Sequence, residues 1–196
     1  MRTLLALCLL TGCLGDDVIP QSNEGEVITT LTVTMTPLAG DPVVAQLNDP
    51  DGDGGEPPTV DPINLQAGMM YMVALSFQNR LEAPPEEITD EIHDEAVAHE
   101  VFFTGDAVNS PANDHPGAPI TQAYADMDAN GLPLGIDDVF TTMAGVGDMT
   151  VTLRHMPPLN GTKVKTPDAA DKVKAGGISA LGGETDAAAT FHVTVQ

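Results

Sequence analysis

Tryptophan is absent from the 196 residues, aromatic residues amount to 4%, and only seven Lys and Arg stand against 29 Asp and Glu. The shortage of cations leaves a formal net charge of −22. A surface of that sign repels the phosphate backbone of nucleic acids and anionic lipid headgroups alike, which argues against both as electrostatic partners. With so few aromatics, a core must be built from Val, Leu, Ile, Met and Ala. Hydrophobic residues still make up 42% of the chain, too many for a wholly disordered acidic polymer. The length suits one domain with tails.

The signatures of common enzymes are also missing. The chain has no Gly-x-Ser-x-Gly elbow, no Walker loop and no Gly-x-Gly-x-x-Gly following a strand pattern. Serine occurs only at Ser22, Ser76, Ser110 and Ser179, none in a recognisable catalytic setting. The expectation is a non-enzymatic protein.

Cysteine is confined to Cys8 and Cys13. One positive charge at Arg2 and the apolar run Leu4–Leu10 describe a secretory signal, too short to span a bilayer. Leu10-Thr11-Gly12-Cys13 resembles the bacterial lipobox, in which cleavage leaves the Cys as residue one and its sulfur carries diacylglycerol. The resemblance implies a lipoprotein signal peptide over 1–12 and a lipidated Cys13. Two or three acyl chains then hold the protein to the lipid bilayer, far better than one would. With Cys8 removed and Cys13 acylated, no disulfide can form. Residues 14–26, with Gly, Pro, acids, Gln21, Ser22 and Asn23, read as a flexible tether. No Asp follows Cys13 directly, and Asp16-Asp17 resembles the surface-export signals of some Gram-negative lipoproteins. The expected location is the outer membrane, facing the periplasm or the cell surface.

Residues 27–196 read as one β-rich domain. Val27, Thr29, Leu31, Val33 and Met35 alternate with Thr-rich positions, the period of a half-buried strand, and 42–47 offers a hairpin partner. Further strands are expected where Met69 to Phe77, Met149 to His155 and Ala187 to Val195 alternate in the same way, with weaker ones at 61–65, 100–104, 120–126 and 138–143. One stretch departs from period two. Ile88, Ile92, Ala96 and His99 form a helical stripe behind acids that favour a helix N-terminus. The fold expected is an antiparallel, immunoglobulin-like β-sandwich with one crossing helix at 86–99, and with loops at 105–119 and 157–183.

Three groups of residues could bind ions. Asp49, Asp51 and Asp53 place carboxylates at alternate positions of a Gly-rich turn, a pattern of hard oxygen ligands suited to Ca²⁺. The twelfth place there is Val60 rather than Glu, and the turn also reads as a solvated acidic loop. Asp126, Asp128, Asn130, Gly131 and Asp137 match the spacing of an EF-hand loop. Pro133 and the lack of helical flanks weigh against it, and Asn130-Gly131 is equally a hairpin-turn signal. Of the five histidines, His99 and His155 take inward phases, whereas His192 and His93 face out and His115 sits in a loop. Two inward imidazoles with Glu95, Glu100 or Glu184 nearby would suit Zn²⁺ or Cu²⁺, and two satisfied structural histidines fit the same pattern. Arg154 reads as a surface ion pair, worth little.

Several strings together resemble a family of small, uncharacterised Gram-negative lipoproteins: Glu26 to Thr36, Asp51 to Gly55, Asp94 to His99, Asp126 to Gly131, Thr152 to His155 and Gly182 to Asp186. The match runs over most of the chain after Cys13. Members sometimes carry the label "type 1 periplasmic binding fold", which requires a larger chain of alternating strands and helices. The resemblance implies lipidation and a β-rich fold and supplies no activity. The expectation is a lipid-anchored, non-enzymatic binding or structural module, stiffened by Ca²⁺ at the two acidic turns. The alternative is a Zn²⁺- or Cu²⁺-handling lipoprotein using His99, His155 and Glu184. The acidic, Lys-poor surface also suits salty water, where ions screen its self-repulsion.

Overall fold

Alternating side chains give each long strand one apolar face, and two such faces pressed together make the core. The structure, a computed structural model, describes residues 27–196 except Asp53. The signal peptide, Cys13 and the tether therefore lie outside the described residues. In chain order the elements are β1 (Thr30–Pro37), β2 (Val43–Asn48), β3 (Thr59–Val60), β4 (Ile63–Leu65), β5 (Met70–Asn79), β6 (Glu86–Glu87) and α1 (Ile88–Asp94). They continue with β7 (His99–Thr104), β8 (Val108–Asn109), β9 (Ile120–Tyr124), β10 (Asp137–Thr142), β11 (Gly145–His155), α2 (Ala169–Gly176) and β12 (Glu184–Val195).

The larger sheet has the order β3-β2-β1-β5-β10-β9-β8, with β6 pairing β5, and the smaller has the order β4-β12-β11-β7. The 27–36 and 42–47 segments form the expected hairpin, with Val33 opposite Ala45. Leu31, Val33 and Met35 of β1 and Tyr71, Val73, Leu75 and Phe77 of β5 are buried from one side. Val101 and Phe103 of β7, Met149, Val151 and Leu153 of β11, and Phe191, Val193 and Val195 of β12 meet them from the other. Phe77, Phe103, Phe140 and Phe191 are fully buried, each contributing roughly 1.5–3 kcal/mol by leaving water. The few aromatics are thus concentrated between the sheets. Phe103 and Phe140 meet edge to face across them, with ring centroids 5.6 Å apart.

The mainly β, sandwich-like expectation holds, with three corrections. Two strand pairs are parallel, β4 with β12 and β8 with β9. Long connections separate the partners in sequence, so no tight turn forces them antiparallel. The helix expected over 86–99 is α1 alone. Glu86 and Glu87 pair with Asn79 and Gln78 of β5, the helix ends at Asp94, and His99 opens β7. His99 lies on the helical period of Ile88 and Ile92 and equally on the two-residue period of Val101 and Phe103, and the sheet takes it. The third correction concerns 157–183, expected to be a loop. It contains α2 and a 3-10 turn, Ile178–Ala180, which cover the outer face of the smaller sheet. There Ala169, Val173 and Leu181 pack with Phe102, Met156 and Ala112 in a second apolar cluster.

Candidate metal centre

Antiparallel pairing of β7 with β11 puts His99 directly opposite His155. The two imidazoles stack with centroids 4.4 Å apart and planes 10° from parallel. Both keep the inward phase of their strands, at the end of the core where the chain leaves α1. Glu95 caps that helix, its N–H donating to Glu91 O. Its carbonyl oxygen lies 3.2 Å from His99 Nδ1, so Nδ1 carries the proton and donates. That bond fixes the tautomer and leaves Nε2 with an open lone pair, the form in which imidazole binds metals. His99 is 1% exposed. Burial, reinforced by the neighbouring His155, pushes its pKa down to about 4, so the ring is neutral at physiological pH.

The Glu95 side chain turns toward His155, with Oε2 3.9 Å from Nε2. One ligand atom from each of Glu95, His99 and His155 lies within 4.8 Å of the other two, the one such grouping among the described residues. A further carboxylate approaches His99 from β12. Asp186 Oδ2 lies 3.7 Å from His99 Nε2, with only 4% of the aspartate side chain exposed. Among the described residues neither atom has a hydrogen-bond partner. Burial first, then the charge of Glu184, raises the Asp186 pKa to about 6 against the opposing pull of Arg154.

The sequence therefore named the two histidines, and of the three acids it offered, the structure groups Glu95 with them. Glu184 pairs across the sheet with His155 but is exposed at the start of β12, outside the Glu95–His99–His155 group. Glu95 had a sequence signal, its position four residues before His99. Asp186 had none, because it reaches the site through a break in strand register. Leu153 pairs with Ala187 and Arg154 with Thr185, leaving Asp186 as the extra residue of a β-bulge. Among the described residues Arg154 forms no ion pair. Its guanidinium donates to the carbonyls of Leu181, Gly182 and Gly183 and to Thr185 Oγ1, fastening the chain just before the bulge.

The acidic turns engage their oxygens differently. Asp126 accepts three backbone N–H groups, from Gly135, Ile136 and Asp137. Asp128 Oδ1 accepts from Asn130 and Leu132, and its Oδ2 lies 3.0 Å from the Lys165 ammonium, with both side chains buried. Asn130 Oδ1 accepts from Lys163 Nζ, and Asp137 is exposed on β10. Backbone donors and two lysines thus occupy the oxygens of Asp126, Asp128 and Asn130, around a tight turn with Gly131 at φ +75°. In the other turn Asp49 accepts from Asp51 N–H and Asp51 from Glu56 N–H, while Asp53 lies outside the described residues.

Two imidazoles and a carboxylate are a borderline donor set, right for Zn²⁺ or Cu²⁺ and poor for Ca²⁺, which takes six to eight oxygens. Comparison with protein-family models, with curated proteins and with solved structures found no match.

Proposed function

We propose that this chain is a lipid-anchored, non-enzymatic binding protein of the cell envelope. Its ligand is a first-row transition ion, Zn²⁺ or Cu²⁺, held by Glu95, His99 and His155. The observation that carries the reading is the neutral, buried His99 ring, with its Nδ1 proton committed to Glu95 and Nε2 without a partner. The lipobox resemblance at Cys13 supports the anchor, and the absence of catalytic signatures supports the non-enzymatic role. The turn at Asp126 and Asp128 lends less support to calcium, since its own backbone and lysines meet the charge.

The test is metal uptake by the full-length protein. Titration with Zn²⁺ and Cu²⁺ against a competing chelator is expected to give one equivalent bound. Saturation to 100 times Kd raises stability by about 2.7 kcal/mol. His155→Ala, at a partly exposed position, and Glu95→Gln are each expected to weaken uptake. His99→Ala is expected to abolish it. Elemental analysis of protein from its native host identifies the ion. A wild-type protein that takes up no stoichiometric metal overturns the reading, as does full uptake by His99→Ala.

A further inference from the structure

The strap that covers the smaller sheet leaves a cavity of about 320 Å³ beside α2, within the roughly 300–1,000 Å³ of small-molecule pockets. Tyr124, Pro111, Pro133 and Pro167 form much of its wall. Proline rings have little freedom to lose, so these walls stand ready before a ligand arrives. The Tyr124 hydroxyl donates to the carbonyl of Val101 at 2.8 Å, which commits its polar end and fixes its ring. A rigid aromatic ring among prolines suits a flat, apolar body.

One side chain in the wall is polar, buried and uncommitted. Glu100 on β7 takes the outward phase of Phe102, beneath the strap, and is 2% exposed. Among the described residues its carboxyl has no hydrogen bond and no ion pair. The nearby charges, Lys165 and Asp128, pair with each other at 3.0 Å, and Lys165 also donates to the carbonyl of Ala96. On the outer side of the cavity Lys174 pairs with Asp171 at 3.6 Å. The charges around the cavity are thus matched within the protein, and Glu100 is left without a counterion. A buried carboxylate in that position is far more costly than a neutral carboxyl. The cavity therefore presents an O–H donor beside a C=O acceptor. A carboxamide is the complement of that pair: its C=O accepts, its N–H donates, and the two hydrogen bonds close a ring.

We propose that this cavity binds a small, uncharged, planar molecule through a primary carboxamide or the equivalent N–H/C=O edge of a heterocycle. Glu100 is its polar anchor, and Tyr124 and the three prolines enclose its body. The site is separate from the metal centre, since none of Glu95, His99 and His155 lines the cavity.

Benzamide is a suitable probe, titrated into the full-length protein by calorimetry and by NMR. It is expected to bind and to shift the Tyr124 ring resonances. N,N-dimethylbenzamide, which lacks the N–H donors, is expected to bind roughly tenfold more weakly. Glu100→Leu is expected to weaken benzamide by a similar factor or more. Glu100→Gln is expected to retain it, because the Gln amide also offers a donor beside an acceptor. Benzylamine is the cationic control, expected to bind more weakly than benzamide. No benzamide binding at all overturns the proposal. Equal affinity for the dimethyl compound overturns it too, even if Glu100→Leu does not fold, since the cavity would then be only an apolar slot. Tighter binding of benzylamine, lost in Glu100→Gln, also overturns it, because the anchor would then be an ionised carboxylate holding a cation.

Discussion

Asp138 has no exposed surface, on the inner face of β10 and opposite Val73 of β5. Gln122 Nε2 donates to its Oδ1 at 2.6 Å, and its Oδ2 has no partner among the described residues. Burial raises the carboxyl pKa to about 8 against that hydrogen bond, with Asp126 and Asp137 adding to the rise, so the group stays protonated at neutral pH. An unfolded Asp ionises near pH 4. Between about pH 4 and pH 8 the folded state therefore holds a proton that the unfolded chain releases. Stability from this group is complete below about pH 4 and is lost as pH rises toward 8. Glu100, raised to about 8 by burial although Lys165 opposes it, acts in the same direction. Urea midpoints are expected to fall across this window. Asp138→Asn, which keeps an acceptor for Gln122, is expected to reduce the slope by roughly 1 kcal/mol per pH unit. An unchanged slope in that variant would mean that the carboxyl is already ionised in the fold.

At the scale of elements, segment 157–168 is held down by one buried cation. Lys165 pairs with Asp128 and donates to the carbonyl of Ala96 just beyond α1, joining three stretches far apart in sequence. Lys165→Met would leave the Asp128 carboxylate buried with only backbone donors. The expected cost is about 3–5 kcal/mol in urea denaturation, with faster hydrogen exchange over 157–176. Adding Asp128→Asn is expected to recover part of that loss, and a single variant as stable as wild type would show that the pair contributes nothing net. The strap was not legible in the sequence, where its Gly, Pro, Ala and Asp content reads as loop. It folds because Phe102 and Met156 project outward from the smaller sheet, and β7 is buried along both faces, with no alternation to announce a second layer. The long strands were legible because one face meets the core and the other meets water. The histidine pair followed from the same phases, although His99 was assigned to the wrong element. The acids around it were only half legible, since helix spacing revealed Glu95 and no periodicity records a bulge.

Across the whole molecule, the charge is the dominant quantity. Protonation of buried Glu100 and Asp138 leaves the domain less negative at pH 7 than its formal count. The remaining acids lie mostly at the surface and repel one another. Screening shortens that repulsion from about 10 Å at 0.1 M salt to 3 Å at 1 M. The melting temperature is expected to rise by a few degrees between 10 mM and 0.5 M NaCl, where roughly 2–4 °C corresponds to 1 kcal/mol at this size. A flat or falling response would mean that favourable ion pairs, such as Lys172 with Asp168, offset the excess of acids.

The order of the smaller sheet also sets a sequence of events. β12 follows every other described strand along the chain, yet it lies inside its sheet, between β4 and β11. A polypeptide that emerges amino end first can form the β2–β1–β5 part of the larger sheet early. It cannot seat β4, cover the second edge of β11 or bring Asp186 to His99 until residues 184–196 have emerged. For a chain that emerges progressively, closure of the smaller sheet is thereby postponed to the end, and the incomplete sandwich stays pliable until then.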